Sequence, residues 1–149
     1  MKLLFLGFTY LLLPRLMSAQ NPVTWTFNTN KVADKTYEIH LTATIQNSWH
    51  LYSQNQPAEA IAIPTSIIFG KNPLTKLVGK VKEVGKLEKH KEPKLDIEQW
   101  QYSNKVDFVQ TITLKANAKT KINGNIEYQT CTDGKCLPPT MVKFSLKLE

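Results

Sequence analysis

The sequence predicts an all-β protein, a single β-sandwich of immunoglobulin-like type. Two observations carry this. Apolar side chains recur at every second position in several segments, and turn residues separate those segments at short intervals. No segment shows an apolar period of 3.6, so no amphipathic helix is expected.

Thr36 to Ile45 is the clearest strand. Tyr37, Ile39, Leu41, Ala43 and Ile45 fall on one face, and Thr36, Glu38, His40, Thr42 and Thr44 on the other. Val106 to Leu114 puts Val106, Phe108, Ile112 and Leu114 together, and Asn125 to Thr130 carries Ile126 and Tyr128. Met141 to Leu148 points Val142, Phe144, Leu146 and Leu148 inward and Lys143, Ser145 and Lys147 outward. Shorter candidates are Val23 to Asn28, Trp49 to Ser53, Thr65 to Phe69 and Leu74 to Val84. Asn47-Ser48, the Pro57–Pro64 interval, Asn72-Pro73, Asn123-Gly124 and Asp133-Gly134 are the expected turns. Glu88 to Tyr102 lacks a clear period and reads as a long loop. Six to nine short strands in one domain suit a sandwich. Trp25, Trp49, Trp100 and Phe108 read as core.

The N-terminus reads as a secretory signal. Lys2 precedes an apolar run from Leu3 to Leu13, followed by a small residue at Ala19. The run is shorter than the roughly 20 residues a membrane-spanning helix needs. Residues 1–19 are therefore expected to be a cleaved signal peptide and 20–149 one exported domain, with no stable membrane insertion after cleavage.

The formal charge is +7, or +5 once Lys2 and Arg15 leave with the signal. Nucleic-acid binding would need a clustered basic face. The densest run, Gly79 to Asp96, mixes six lysines with Glu83, Glu88, Glu92 and Asp96, which describes a solvated hairpin or loop. No nucleic-acid partner is expected. No nucleophile–base pair at a recognisable spacing and no glycine-rich phosphate loop is present. Soft ligands such as Cys131, Cys136 and Met141 could suit Cu(I), but none of His40, His50 and His90 is close in sequence, and neither metal nor cofactor is expected.

The two cysteines lie in Tyr128-Gln129-Thr130-Cys131-Thr132-Asp133-Gly134-Lys135-Cys136-Leu137-Pro138-Pro139-Thr140. Asp-Gly favours a two-residue hairpin turn with both central residues at positive φ. Thr132 would then face Lys135, and Cys131 would face Cys136 as a non-hydrogen-bonded pair with Cα atoms ~4.5 Å apart. That separation lets the sulfurs bond. A ring of six residues adds at most roughly 2 kcal/mol by chain entropy, and short cross-strand bonds near a turn are often labile. Spacing alone leaves both an inert staple and a redox pair open. A β-hairpin has no helix dipole to make a thiolate, so the pair is expected to be a poor nucleophile unaided.

This segment resembles the redox motif of the N-terminal periplasmic domain of DsbD-type thiol:disulfide interchange proteins, where Tyr-Gln precedes the first cysteine and Pro-Pro follows the second. Asn47-Ser48-Trp49-His50-Leu51-Tyr52-Ser53-Gln54 is similar to an early strand of the same family. The resemblance implies an immunoglobulin-like fold and a periplasmic location. It implies a catalytic pair, Cys131 and Cys136, that passes electrons from a thioredoxin-like donor to oxidised exported proteins. Cys136 would form the mixed disulfides and Cys131 would resolve them. His50, Tyr52 and Tyr128 would surround the pair, and a cap loop near Glu92 to Tyr102 would shield it, with Leu95 closest to the cap aromatic and Trp100 and Tyr102 nearby. Full-length members continue into a membrane domain and a thioredoxin-like domain. This chain stops at Glu149, so its expected partner is a thioredoxin-like redox protein or a membrane electron-transfer protein in trans. The competing reading is a protein-binding sandwich with a permanent disulfide.

Overall fold

A computed structural model describes residues 21–92 and 94–149. The expected signal peptide lies outside the described residues. Nine strands form two sheets that pack face to face: β1 (Val23–Ala33), β2 (Thr36–Ile45), β3 (His50–Tyr52), β4 (Ser66–Phe69), β5 (Thr75–Glu92), β6 (Ile97–Leu114), β7 (Thr120–Tyr128), β8 (Thr130–Cys131) and β9 (Thr140–Leu148). Among the described residues there is no helix, and so none long and apolar enough to cross a membrane.

The larger sheet is organised by β6. One edge of β6 pairs with β5. Its other edge pairs first with β3, through Gln101–Ser103, and then with β2, through Lys105–Thr113. Strands β2 and β3 thus lie end to end along β6. Strand β1 extends the sheet beyond β2, and β8 extends it beyond β3. The smaller sheet has the order β4-β7-β9.

The period-2 reading of β2 is realised in full: Tyr37, Ile39, Leu41, Ala43 and Ile45 are all buried. They meet Val106, Phe108 and Ile112 of β6 and, from the opposite sheet, Ile122, Ile126, Phe144 and Leu148. Trp25 of β1 closes the core edge, 5.9 Å from the Phe108 ring and 5.3 Å from that of Tyr128. Gln110 interrupts the apolar face of β6, yet it is buried at 2% exposure. Its Nε2 donates to the Val78 carbonyl (3.0 Å), which lies beside a break in the β5 register between Val78 and Lys82. A buried amide satisfied this way need not destabilise the core.

Two expectations are corrected. Glu88 to Tyr102 is not a loop: β5 runs to Glu92 and β6 starts at Ile97, so the segment is the far end of a long hairpin. Most of β5 is exposed, which removes the alternation by which a strand is read. Asn123-Gly124 is not a turn but the middle of β7. Glycine stands there because a Cβ would collide with the Phe144 ring and approach the Ile68 carbonyl oxygen to 2.6 Å. Gly124→Ala should therefore lower stability by about 1–3 kcal/mol, read as a drop in the urea midpoint at constant slope. An unchanged midpoint would show that the ring and strand β4 move aside freely.

Candidate functional site

The cysteine segment interrupts a hairpin. Strands β7 and β9 pair down to Tyr128 and Thr140 in the smaller sheet. Residues 129–139 leave that sheet and add β8 to the edge of the larger one, where Thr130 faces Leu51 and Cys131 faces His50. The disulfide hairpin therefore stands at the end of the sandwich where the chain passes between sheets. Gln129 Nε2 donates to the Leu137 carbonyl (3.1 Å) and pins the returning strand.

Cys131 and Cys136 form a disulfide with Cα atoms 4.0 Å apart. They face each other as the expected non-hydrogen-bonded rung. The flanking bonds run from Leu137 N to the Thr130 carbonyl (2.9 Å) and from Thr132 N to the Lys135 carbonyl (2.8 Å). The turn itself differs from the expected type, because neither Asp133 nor Gly134 has a positive φ. Thr132 Oγ1 accepts the N–H groups of Gly134 (3.3 Å) and Lys135 (3.2 Å), so a side chain does the work of a backbone carbonyl. Lys135 is drawn over the Trp49 ring, Nζ 5.5 Å from its centroid.

The two sulfurs have unequal surroundings. Cys131 is 1% exposed, whereas Cys136 belongs to the exposed residues of the hairpin. A hollow of about 380 Å³ opens beside Cys136, lined by His50, Tyr52, Gln101, His90, Glu92 and Ile61 among others. A second, of about 550 Å³, lies against the hairpin's Thr132–Gly134 and is also lined by His50 and Gln101. His50 and Tyr52 alternate on β3 and so share a face; His50 Nε2 lies 3.3 Å from Tyr52 Oη, with the rings edge to face. Burial pushes the Tyr52 hydroxyl pKa up. Burial, aided by His90, pushes His50 below its ordinary 6.5, against the opposing charges of Asp133 and Glu88.

A carboxylate on β5 ties the end of β3 to β6. Glu83 accepts from Ser53 Oγ (2.7 Å), Gln54 N (2.6 Å) and Tyr102 Oη (2.8 Å). Burial, then this bond and the Glu83 charge, raise the Tyr102 pKa well above its ordinary value. Gln56 Nε2 donates to the Trp100 carbonyl (2.6 Å), and Gln56 Oε1 accepts from Trp100 N (3.0 Å). The segment leading to Ile61 is thus fixed to the hairpin β5–β6.

Of the residues expected around the pair, His50 and Tyr52 are beside it. Tyr128 is placed elsewhere: it is fully buried against Trp25, with its hydroxyl accepting from Asn21 Nδ2 (2.6 Å). Leu95 is also placed elsewhere, 57% exposed at the tip of the β5–β6 hairpin and outside the lining of the hollow. The side chains that this hairpin does bring to Cys136 are His90, Glu92, Gln99 and Gln101. Glu92, Gln99 and Gln101 fall in the stretch expected to cap the pair, but its lack of a period hides which of its side chains turn toward the cysteines. Among the described residues no group of three His, Cys, Asp or Glu side chains is arranged to hold a metal.

An immunoglobulin-like sandwich with a half-exposed disulfide on an edge hairpin defines a β-sandwich disulfide domain. The chain belongs to the DsbD N-terminal domain family: the family model described as "Thiol:disulfide interchange protein DsbD, N-terminal" matches residues 18–148. The fold is similar to the crystal structure of the Neisseria meningitidis DsbD N-terminal domain in the reduced form, with a TM-score of 0.51 and 14% identity over 82% of this chain and 83% of that one. It is also similar to the N-terminal periplasmic domain of ScsB from Proteus mirabilis, with a TM-score of 0.58 and 15% identity over 89% of this chain and 48% of that one. The chain spans about half the length of the ScsB domain. No curated protein sequence matches the chain.

Two outcomes follow from the site's energetics. Reducing the disulfide should cost no more than about 2 kcal/mol of stability, because the closed ring is so short; a urea titration with and without reductant measures it, and a loss beyond ~3 kcal/mol would mark a structural bond. His50 has a lowered folded pKa, so the unfolded chain binds the extra proton first and stability rises with pH up to 6.5. His50→Gln should flatten stability across that interval and leave the profile above 6.5 unchanged.

Proposed function

We propose that this protein is a periplasmic thiol–disulfide exchange protein that relays electrons through Cys131 and Cys136. The observation that carries the reading is the asymmetry of the pair: one sulfur faces solvent in a hollow, and the other is sealed beneath it. Family membership supports the same reaction class. A permanent staple has no use for an approach path to one of its sulfurs.

A partner thiolate attacks Cys136 Sγ. The Cys131–Cys136 bond breaks, its electron pair stays on Cys131 Sγ, and a mixed disulfide forms through Cys136. The partner's second thiol then closes the partner's own disulfide and releases Cys136, leaving the domain reduced by two electrons. In the opposite direction, Cys136 attacks an oxidised acceptor and Cys131 resolves the mixed disulfide. No helix dipole is available at the hairpin to lower a thiol pKa. The activated cysteine for reduction is therefore the partner's, which suits a thioredoxin-like protein, free or attached to a membrane electron-transfer protein. The acceptors are oxidised exported proteins.

The test is a trapping experiment. Cys131→Ser and Cys136→Ser are each mixed with a thioredoxin-like protein lacking its resolving cysteine. The Cys131→Ser protein should accumulate a stable mixed disulfide through Cys136, and the Cys136→Ser protein should not. Absence of trapping by either variant, together with a reduction potential below about −300 mV, would sink the proposal and leave a structural bond on a binding module.

A further inference from the structure

We infer that His50 is the general base that accepts the Cys131 proton when that sulfur closes the disulfide. The inference rests on the exchange reading above and adds a residue role to it. Cys131 is 1% exposed, so as a thiol it has no direct way to give its proton to water. His50 is its register partner on the neighbouring strand. Directly opposed residues of an antiparallel pair point to the same face, with Cβ atoms about 4.5–5.5 Å apart. The imidazole is itself buried, yet it lines both hollows beside the hairpin, and so connects the sealed sulfur with solvent.

His50 Nε2 lies 3.3 Å from Tyr52 Oη, and in the tautomer whose Nε2–H donates to that oxygen, Nδ1 keeps a free lone pair. The titratable groups facing the imidazole are Asp133 and Lys135 from the cysteine hairpin, Glu88, His90 and Glu92 from β5, and Tyr52 on its own strand. Strand β6 contributes the uncharged Gln101 and Ser103. Burial prevails over the carboxylates and keeps His50 neutral near pH 7. The other two histidines are placed differently: His40 Nδ1 lies 2.7 Å from Asp107 on the outer face of the sheet, and His90 is exposed on β5.

Cys136 is bonded to the partner's sulfur and Cys131 is a thiol. His50 takes the thiol proton, Cys131 Sγ attacks Cys136 Sγ, and the Cys131–Cys136 bond forms. The bond to the partner breaks, and the partner's sulfur leaves as a thiolate with the electron pair. The imidazolium releases its proton through the hollow. In reverse, an imidazolium returns the proton to Cys131 as it departs.

The test uses the reduced protein and a small aromatic disulfide, dithiobis-nitrobenzoate, followed by stopped flow. Attack by Cys136 releases a first equivalent of coloured thiolate, and ring closure by Cys131 releases a second. The first phase is identified by its match to the single phase of Cys131→Ser. In His50→Gln the first phase should change far less than the second. The second should slow by about 10²-fold near neutral pH, and its pH profile should move up toward the ordinary thiol range, ~8.5. Added imidazole should restore the second phase in His50→Ala. Tyr52→Phe removes only the hydroxyl beside Nε2 and should slow the same phase by less. A second phase with the same rate and pH profile in His50→Gln and Tyr52→Phe would overturn the inference. Because no partner protein takes part, that result is separable from a failure of trapping, which would overturn the exchange reading.

Discussion

Continuous pairing along β6 fixes where the two cysteines sit. The strand is long enough to carry β2 and β3 in tandem on one edge, while β5 covers the other. Held in this way, the three-residue β3 offers its remaining edge to β8, and only there can Cys131 come to face His50. Strands as short as β3 and β8 have little stability of their own. They are ordered because β6 is anchored further along by Val106, Phe108 and Ile112 in the core. The site is thus a peripheral structure borrowing the rigidity of a central one.

The disulfide hairpin also belongs to both sheets at once. It leaves β7, attaches to the larger sheet and returns to β9 within residues 129–139. A ring opened and closed by exchange would ordinarily invite local unfolding. Here the backbone bonds on either side of the cysteine rung, at Thr130–Leu137 and Thr132–Lys135, do not depend on the sulfur bond. They set residues 131 and 136 opposite each other through the backbone as well as through the covalent link.

How much of this could be read from the amino acids depends on how each residue is buried. Strands β2 and β9 are wet on one face and dry on the other, so their period of two is plain in the sequence. The cysteine rung was legible by counting outward from Asp133-Gly134, although the turn is held by the Thr132 hydroxyl rather than by positive φ angles. Strand β5 was shortened to Val84 because it is solvated on both faces beyond that point and carries no periodic mark. Without that mark the sequence does not show that His90 and Glu92 turn toward the hollow. Asn123-Gly124 misled in the opposite way: a glycine needed for a ring's close approach has the same letter as one needed for a turn. Tyr128 precedes Cys131 by three residues and was expected beside it, but the passage between sheets at Gln129 separates their environments. Proximity in sequence fails as a guide wherever a chain changes layer.

Strand β5 pairs with β6 alone, so its outer edge presents backbone donors and acceptors to whatever strand drifts past. Uninterrupted, eighteen residues of open edge would template fibrillar growth in a crowded compartment. Two irregularities break the pairing register, one of them around Gly79 at φ 71°. Exposed Lys76, Lys80, Lys82, Lys86, Lys89 and Lys91 punctuate the same strand. An incoming copy would have to align lysine against lysine across a kinked ribbon. The charge mixture that reads as a plain solvated surface thus opposes pairing between copies along that edge.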